Sequence, residues 1–268
     1  MLVMSDELRK AEKLVQIACT MGYTSLNLSH QNLTILPSSI SRLIKLKVLM
    51  LNDNNIIMPP GELVSLTNLE HLLLDHNQLT MLPTGFGELM NLIVLSLSHN
   101  NLAFLPSEIG KLNHLSELWL VNVQLIALPE EICLLKKLIK LGVGENLLSG
   151  LPENFSYLQA LEWLSLRKNQ ITSLPNDLHQ LKHLTFVDVS ENRLQHIPNS
   201  LQRSKSLSYL KLSHNNLSIR PGDFSKGFPS LHKLDLRHTN VETLPKGSLK
   251  FEVLLSNAGF DDMKCKPC

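Results

Sequence analysis

Apolar residues return along this chain at a spacing that neither a single helix nor a single strand explains. Leucines stand at 46, 69, 92, 115, 138, 161, 184 and 207, each 23 residues after the last, and again at 231 and 254. Tyr23 holds the same place at the start, so ten units fill residues 23–253. Each unit reads L-x-x-L-x-L-x-x-N-x-L, then L-P-x-x-I-x-x-L. Leu92, Leu95, Leu97, Asn100, Leu102, Leu105-Pro106, Ile109 and Leu112 make a clean copy. A fixed period of this length marks stacked units, none of which can bury its apolar face alone. The alternating x-x-L-x-L-x-x portion predicts a short strand with one buried face. Stacking such strands predicts a parallel sheet whose hydrogen bonds run from unit to unit.

The polar positions carry the same register. Asparagine recurs at 54, 77, 100, 146, 169, 192 and 215, where each strand must turn out of the sheet. A buried carboxamide offers two donors and one acceptor, enough to satisfy the backbone groups of that turn. Ten of the 13 prolines sit in one register, from Pro37 to Pro245. Proline fixes φ and lacks an N–H, which suits an extended return segment on the outer side.

This pattern resembles the leucine-rich repeat family. The 23-residue period and the L-P-x-x-I-x-x-L half are similar to its Ras-suppressor-like (plant intracellular Ras-group) class. The resemblance implies an α/β repeat solenoid. It would be a curved horseshoe with a concave parallel sheet and a convex side of irregular, 3-10 and extended segments. It also implies a non-enzymatic module that binds a protein partner, often as an intracellular signalling scaffold linked to Ras-type GTPases or phosphatases.

The two ends differ. Residues 5–20 read as an amphipathic capping helix: Ser5 or Asp6 begins it, Leu8, Ala11, Val15 and Ala18 share a face, and Gly22 ends it. The alternative for this helix is a partner contact. Leu254 and Leu255 open a partial eleventh unit, and residues 261–268 form a polar tail. Cys265-Lys-Pro-Cys268 is a lone C-x-x-C, with no second pair for zinc and no aliphatic residues for prenylation. With no capping helix after it, the C-terminal end is a candidate surface for self-association, and a structural or assembly protein using that open edge is the alternative function.

Function should reside on positions the scaffold does not need. Positions 3, 5 and 7 of each unit point to the concave face. Trp163, Phe186 and Tyr209 share position 3 in three consecutive units, so a contiguous aromatic row is expected. Trp119 stands two units before Trp163, about 10 Å away at sheet spacing. Gly142 and Gly144 lie between, predicting a shallow depression walled by the tryptophans with Lys140 and Arg167 at its edge. Exposed aromatics beside an arginine are the composition of binding hot spots. A second apolar group, Val48, Met50, Leu73 and Val94, lies nearer the N-terminus.

Some positions break the pattern. Val123 replaces the recurrent asparagine, so its turn must find other partners or distort; drift in one copy and a local change of curvature both account for it. His30, His76, His99, His214 and His238 all stand just before the asparagine position, where a metal site, a pH response or simple solvation are the alternatives. Cys133 sits among scaffold positions and reads as a small buried hydrophobe.

Composition narrows the classes. A net charge of +1 argues against a phosphate-neutralising nucleic-acid binder. Four scattered cysteines argue against a disulfide-stapled secreted domain, and no apolar run is long enough to span a membrane. No signal-peptide core opens the chain, so a cytoplasmic location is expected, with the nucleus as the alternative. Nucleophile-elbow, phosphate-loop and H-E-x-x-H motifs are missing, so neither catalysis nor a cofactor is expected.

Overall fold

The computed structural model describes residues 5–218, 227–241 and 250–256. The described residues form one parallel sheet of eleven three-residue strands, ordered as they occur in the chain. These are β1 (Ser25–Asn27), β2 (Val48–Met50), β3 (His71–Leu73), β4 (Val94–Ser96), β5 (Glu117–Trp119), β6 (Lys140–Gly142), β7 (Trp163–Ser165), β8 (Phe186–Asp188), β9 (Tyr209–Lys211), β10 (Lys233–Asp235) and β11 (Glu252–Leu254). Each strand pairs with the next in register, so Leu95 lies opposite Leu118 and Leu118 opposite Leu141. The middle residue of the first ten strands is buried and its neighbours face the concave side. The result is a curved leucine-rich solenoid with strands inside and 3-10 turns outside.

The asparagines hold the coils together. Nδ2 of Asn100 donates to the carbonyls of Leu74 (3.0 Å), Leu97 (2.8 Å) and Ser98 (3.2 Å), while its Oδ1 accepts from Leu79 N–H at 2.9 Å. Asn77, Asn169, Asn192 and Asn215 repeat the arrangement. On the outer side, Pro37, Pro60, Pro106 and Pro129 each precede a 3-10 turn, with φ between −65° and −68°. Those turns send Ile40, Leu63, Ile109 and Ile132 into the core, and Phe86 and Phe155 fill the same place in their units.

Val123 leaves one turn without its carboxamide, and the structure shows what replaces it. Oδ1 of Asn146 accepts from both Val123 N–H and Leu125 N–H at 3.0 Å, and Ala103 N–H donates to the Val123 carbonyl at 3.1 Å. Ala103 and Gln124 become left-handed, at φ 55° and 64°. Gln31, which holds the asparagine position of the first unit, is served in the same way by Oδ1 of Asn54.

Helix α1 (Asp6–Met21) covers the first coil. Ser5 Oγ caps it by accepting from Leu8 N–H at 3.2 Å, and left-handed Gly22 ends it. Ala11, Val15 and Ala18 are buried, and Glu12 accepts from Ser39 Oγ at 2.6 Å, fixing the helix to the first outer turn. The far end departs from the 23-residue rule. Leu234 pairs with Val253, 19 residues on, so Leu254 faces Asp235 instead of opening a unit. Cys265, Cys268 and the rest of the tail from residue 257 lie outside the described residues.

Candidate partner-binding site

The concave face carries an aromatic ridge, and its geometry differs from the depression the spacing suggests. Trp119 leans across Gly142 on the next strand. A Cβ at Gly142 would stand 2.6 Å from Cε3 of Trp119, so only glycine leaves room for that indole. The lean brings Trp119 to 5.3 Å from Trp163 between ring centroids, with the planes tilted by 52°. Trp163 stacks on Phe186 at 5.4 Å with the planes 4° apart. Three rings from β5, β7 and β8 therefore touch in sequence, and the expected gap is filled by Trp119 itself.

Tyr209 does not continue the row. It stands 49% exposed and stacks on His232 at 6.4 Å. Lys211 takes its place beside the ridge, with Nζ 5.5 Å from the Phe186 ring centre. Gly144 serves the scaffold: a Cβ there would lie 3.2 Å from the Arg167 carbonyl of the next coil. Its close backbone neighbour is this chain.

Charged groups frame the ridge in pairs. Glu117 accepts from Lys140 Nζ at 2.9 Å and from Trp119 Nε1 at 3.2 Å, so one carboxylate ties the indole to the lysine. The Lys140 hydrogen bond, outweighing partial desolvation, holds the Glu117 carboxyl below its ordinary range. Arg167 donates Nε to Glu191 at 2.7 Å, with its terminal nitrogen at 2.6 Å; that hydrogen bond raises the guanidinium's affinity for its proton still further.

Beside the ridge lies a hollow of about 360 Å³ lined by Asn52, Asp53, Asp75, His76, Ser96, Ser98, His99 and Trp119. It exists because Ser96 is small and Trp119 leans away from it. Its polar groups are already engaged: Asp75 Oδ1 accepts from Ser96 Oγ at 2.5 Å and Ser98 N–H at 2.8 Å. His76 and His99 stack at 4.2 Å, their planes 9° apart. Met50 and Leu73 pair across β2 and β3 beyond this hollow, partly buried and apart from the ridge.

The clustered histidines have a backbone explanation that the pattern alone did not supply. His30, Asp53, His76, His99, Asn122, Glu145, Lys168, Glu191, His214 and His238, one per unit, all have φ between 54° and 58°. Left-handed residues other than glycine are enriched in Asn, Asp and His. No group of three metal-ligating side chains occurs among the described residues. Cys133 is buried, and desolvation pushes its thiol up to about 11.

Family models described as leucine-rich repeats match residues 68–89, 91–112, 136–194 and 161–217. The chain belongs to the leucine-rich repeat family. No match was found among curated proteins. Among solved structures, this leucine-rich repeat chain is similar to a leucine-rich repeat protein of Leptospira interrogans, with 33% identity and TM-score 0.78. That match covers 84% of this chain and 58% of that one. It is also similar to the ectodomain of the Arabidopsis thaliana receptor kinase GASSHO1/SCHENGEN3, solved with Casparian strip integrity factor 2, at 29% identity and TM-score 0.70. There the match covers 83% of this chain and 28% of the receptor. A third similar structure is TLR13 in complex with ssRNA13, at 27% identity and TM-score 0.73, covering 85% of this chain and 34% of that chain. The chain thus spans between about a quarter and three-fifths of these relatives' lengths. No helix among the described residues is long and apolar enough to cross a membrane.

Proposed function

We propose that this chain is a non-enzymatic protein-binding module that seats a protein partner on the Trp119–Trp163–Phe186 ridge. The observation that carries this reading is the contact of three partly exposed rings on the concave face, reached by laying Trp119 over Gly142. A few aromatic and arginine anchors carry most of the binding energy in protein interfaces. Lys140 and Arg167 are oriented by their carboxylates, so they add polar contacts at the rim without losing much freedom on binding.

Similar structures support a partner-holding role: the receptor kinase was solved with an integrity factor, and the plant peptide hormone receptor RGFR1 with RGF2. A nucleic acid, as in the TLR13 complex, fits this face less well. Lys140, Arg167, Lys168 and Lys211 each already face a carboxylate, so phosphates would gain little from them. By resemblance to the Ras-suppressor-like class, we assign the module to cytoplasmic signalling that involves Ras-type GTPases or phosphatases.

The ridge also has the geometry of a cross-strand brace, and one experiment separates the two roles. Wild-type chain and a Trp119→Ala/Trp163→Ala variant are used side by side for affinity capture from lysate, with urea unfolding of each. A partner captured by the wild type and lost from the folded variant supports the proposal. Equal capture by both overturns the site.

A further inference from the structure

The charge of this molecule is distributed unevenly around each coil. Residues 32–37, 55–60, 78–83, 101–106, 124–129, 147–152 and 170–175 occupy the rim where each coil leaves the sheet for the outer turn. None of these residues is Asp, Glu, Lys, Arg or His, in a chain that is 18% charged overall. On the same rim Ile35, Met58, Met81 and Phe104 hold one position in four consecutive coils, and their exposures are 55, 54, 54 and 65%. Ile57, Ile126 and Leu147 add exposed apolar groups beside them. Single exposed apolar residues are ordinary, but a row repeated coil after coil is a contiguous patch.

The rim is also rigid. Asn55, Gln78, Asn101, Leu147 and Gln170 each donate a backbone N–H to the preceding coil, at 2.8 to 3.0 Å. Amide side chains along the rim bond in two pairs: Gln78 donates to Asn55 Oδ1 at 3.3 Å, and Gln124 to Asn101 Oδ1 at 2.8 Å. The ion pairs of the concave face stop short of this surface. It presents an apolar row flanked by a neutral amide row.

We propose that this uncharged rim is where a second copy of the chain docks, in antiparallel register about a twofold axis between Met58 and Met81. In that register Ile35 meets Phe104 of the second copy, and Met58 meets its Met81. The charge pattern argues for self-pairing in particular. A twofold contact sets a patch against itself, so any net charge near the axis repels its own image. A surface with no ionisable side chain over seven coils carries no such penalty. A highly charged partner would find no pairing groups here, and an anionic membrane would find no Lys or Arg. The two concave ridges stay open in such a dimer, so it would engage a bivalent partner with avidity.

Sedimentation equilibrium of the full chain across the micromolar range tests this. The expected result is a reversible dimer. Phe104→Asp and Met81→Asp change exposed side chains, and each should raise the dimer dissociation constant about tenfold or more while the urea midpoint, read at dilution where the chain is monomeric, stays unchanged. Ile44→Asp, at an exposed position outside the row, should leave the dimer intact. A wild-type monomer at every concentration overturns the proposal, whether or not the row then takes phosphatidylcholine vesicles or an unrelated protein. So does a dimer indifferent to both row substitutions.

Discussion

Two neighbouring regions of the concave face, built on identical strands, end up as opposites. From Trp119 toward the C-terminus the surface is a ridge of touching rings. From Trp119 toward the N-terminus it is a polar hollow floored by Ser96 and Ser98. The backbone does not distinguish them, because β4, β5 and β6 pair in unbroken register. One side chain does. Trp119 has glycine on one side and serine on the other, and it lies toward the glycine. The lean completes the ridge and uncovers the hollow in the same movement. On a repeat scaffold, local shape is therefore set by side-chain size at equivalent positions of adjacent coils.

The largest expected effect strikes the support that both regions share. Asn146 follows β6 and satisfies two N–H groups and three carbonyls, as many as Asn54 and one N–H more than Asn77 or Asn100, because Val123 has no carboxamide of its own. Asn146→Ala should lower stability by about 3 kcal/mol, measured by urea unfolding, since it strands several buried backbone groups. An equal loss from Asn77→Ala would mean that the Val123 turn does not lean on its neighbour.

Next comes the contrast itself. Trp163→Ala should weaken binding of the captured partner by about 2 kcal/mol. Asp75→Asn, in the hollow, should leave binding unchanged. The reverse ranking, measured by calorimetry, would move the site to the hollow. Gly142→Ala is a smaller, sharper probe. Its methyl group would meet the indole, pushing Trp119 toward Ser96, with a stability cost of about 1 kcal/mol from overpacking. The near-ultraviolet circular dichroism of the paired tryptophans should change; an unaltered spectrum would mean that Trp119 is not held by the glycine.

The smallest effect is one of pH. The Glu117 carboxyl is lowered from its ordinary 4.5, chiefly by its hydrogen bond from Lys140. A carboxyl lowered in the folded state stabilises fully above its ordinary value and loses that contribution as pH falls through the folded value. Tryptophan fluorescence should therefore hold steady down to about pH 4.5 and change below it as the Trp119 bond loses its carboxylate. Glu117→Gln should flatten that response, and an unchanged profile would remove Glu117 as the tether.

Much of this was legible in the sequence. The 23-residue register placed every strand from β1 to β9, and it placed the asparagines because a turn leaving a sheet needs a carboxamide. The register fails at the far end, where β11 follows β10 by 19 residues and apolar side chains fit either phase. Periodicity also could not give the lean of Trp119. Strand spacing fixes where Cβ atoms stand, whereas an indole spans a whole neighbouring coil. In the sequence Gly142 reads as a gap; in the structure it is the seat of a ring. The recurrent histidines were visible as a cluster, but their left-handed backbone was not. The signal available was their company: Asp53, Asn122 and glutamates share that position, and the first two are residue types that tolerate positive φ.

Both tryptophans of the chain belong to the ridge. Labelling with 5-fluorotryptophan therefore gives two fluorine resonances that report on it alone. Titrating the captured partner into the labelled chain is the most direct test of the account. Both resonances should shift and lose solvent access in step with binding. Saturable binding that leaves both resonances unmoved would contradict it.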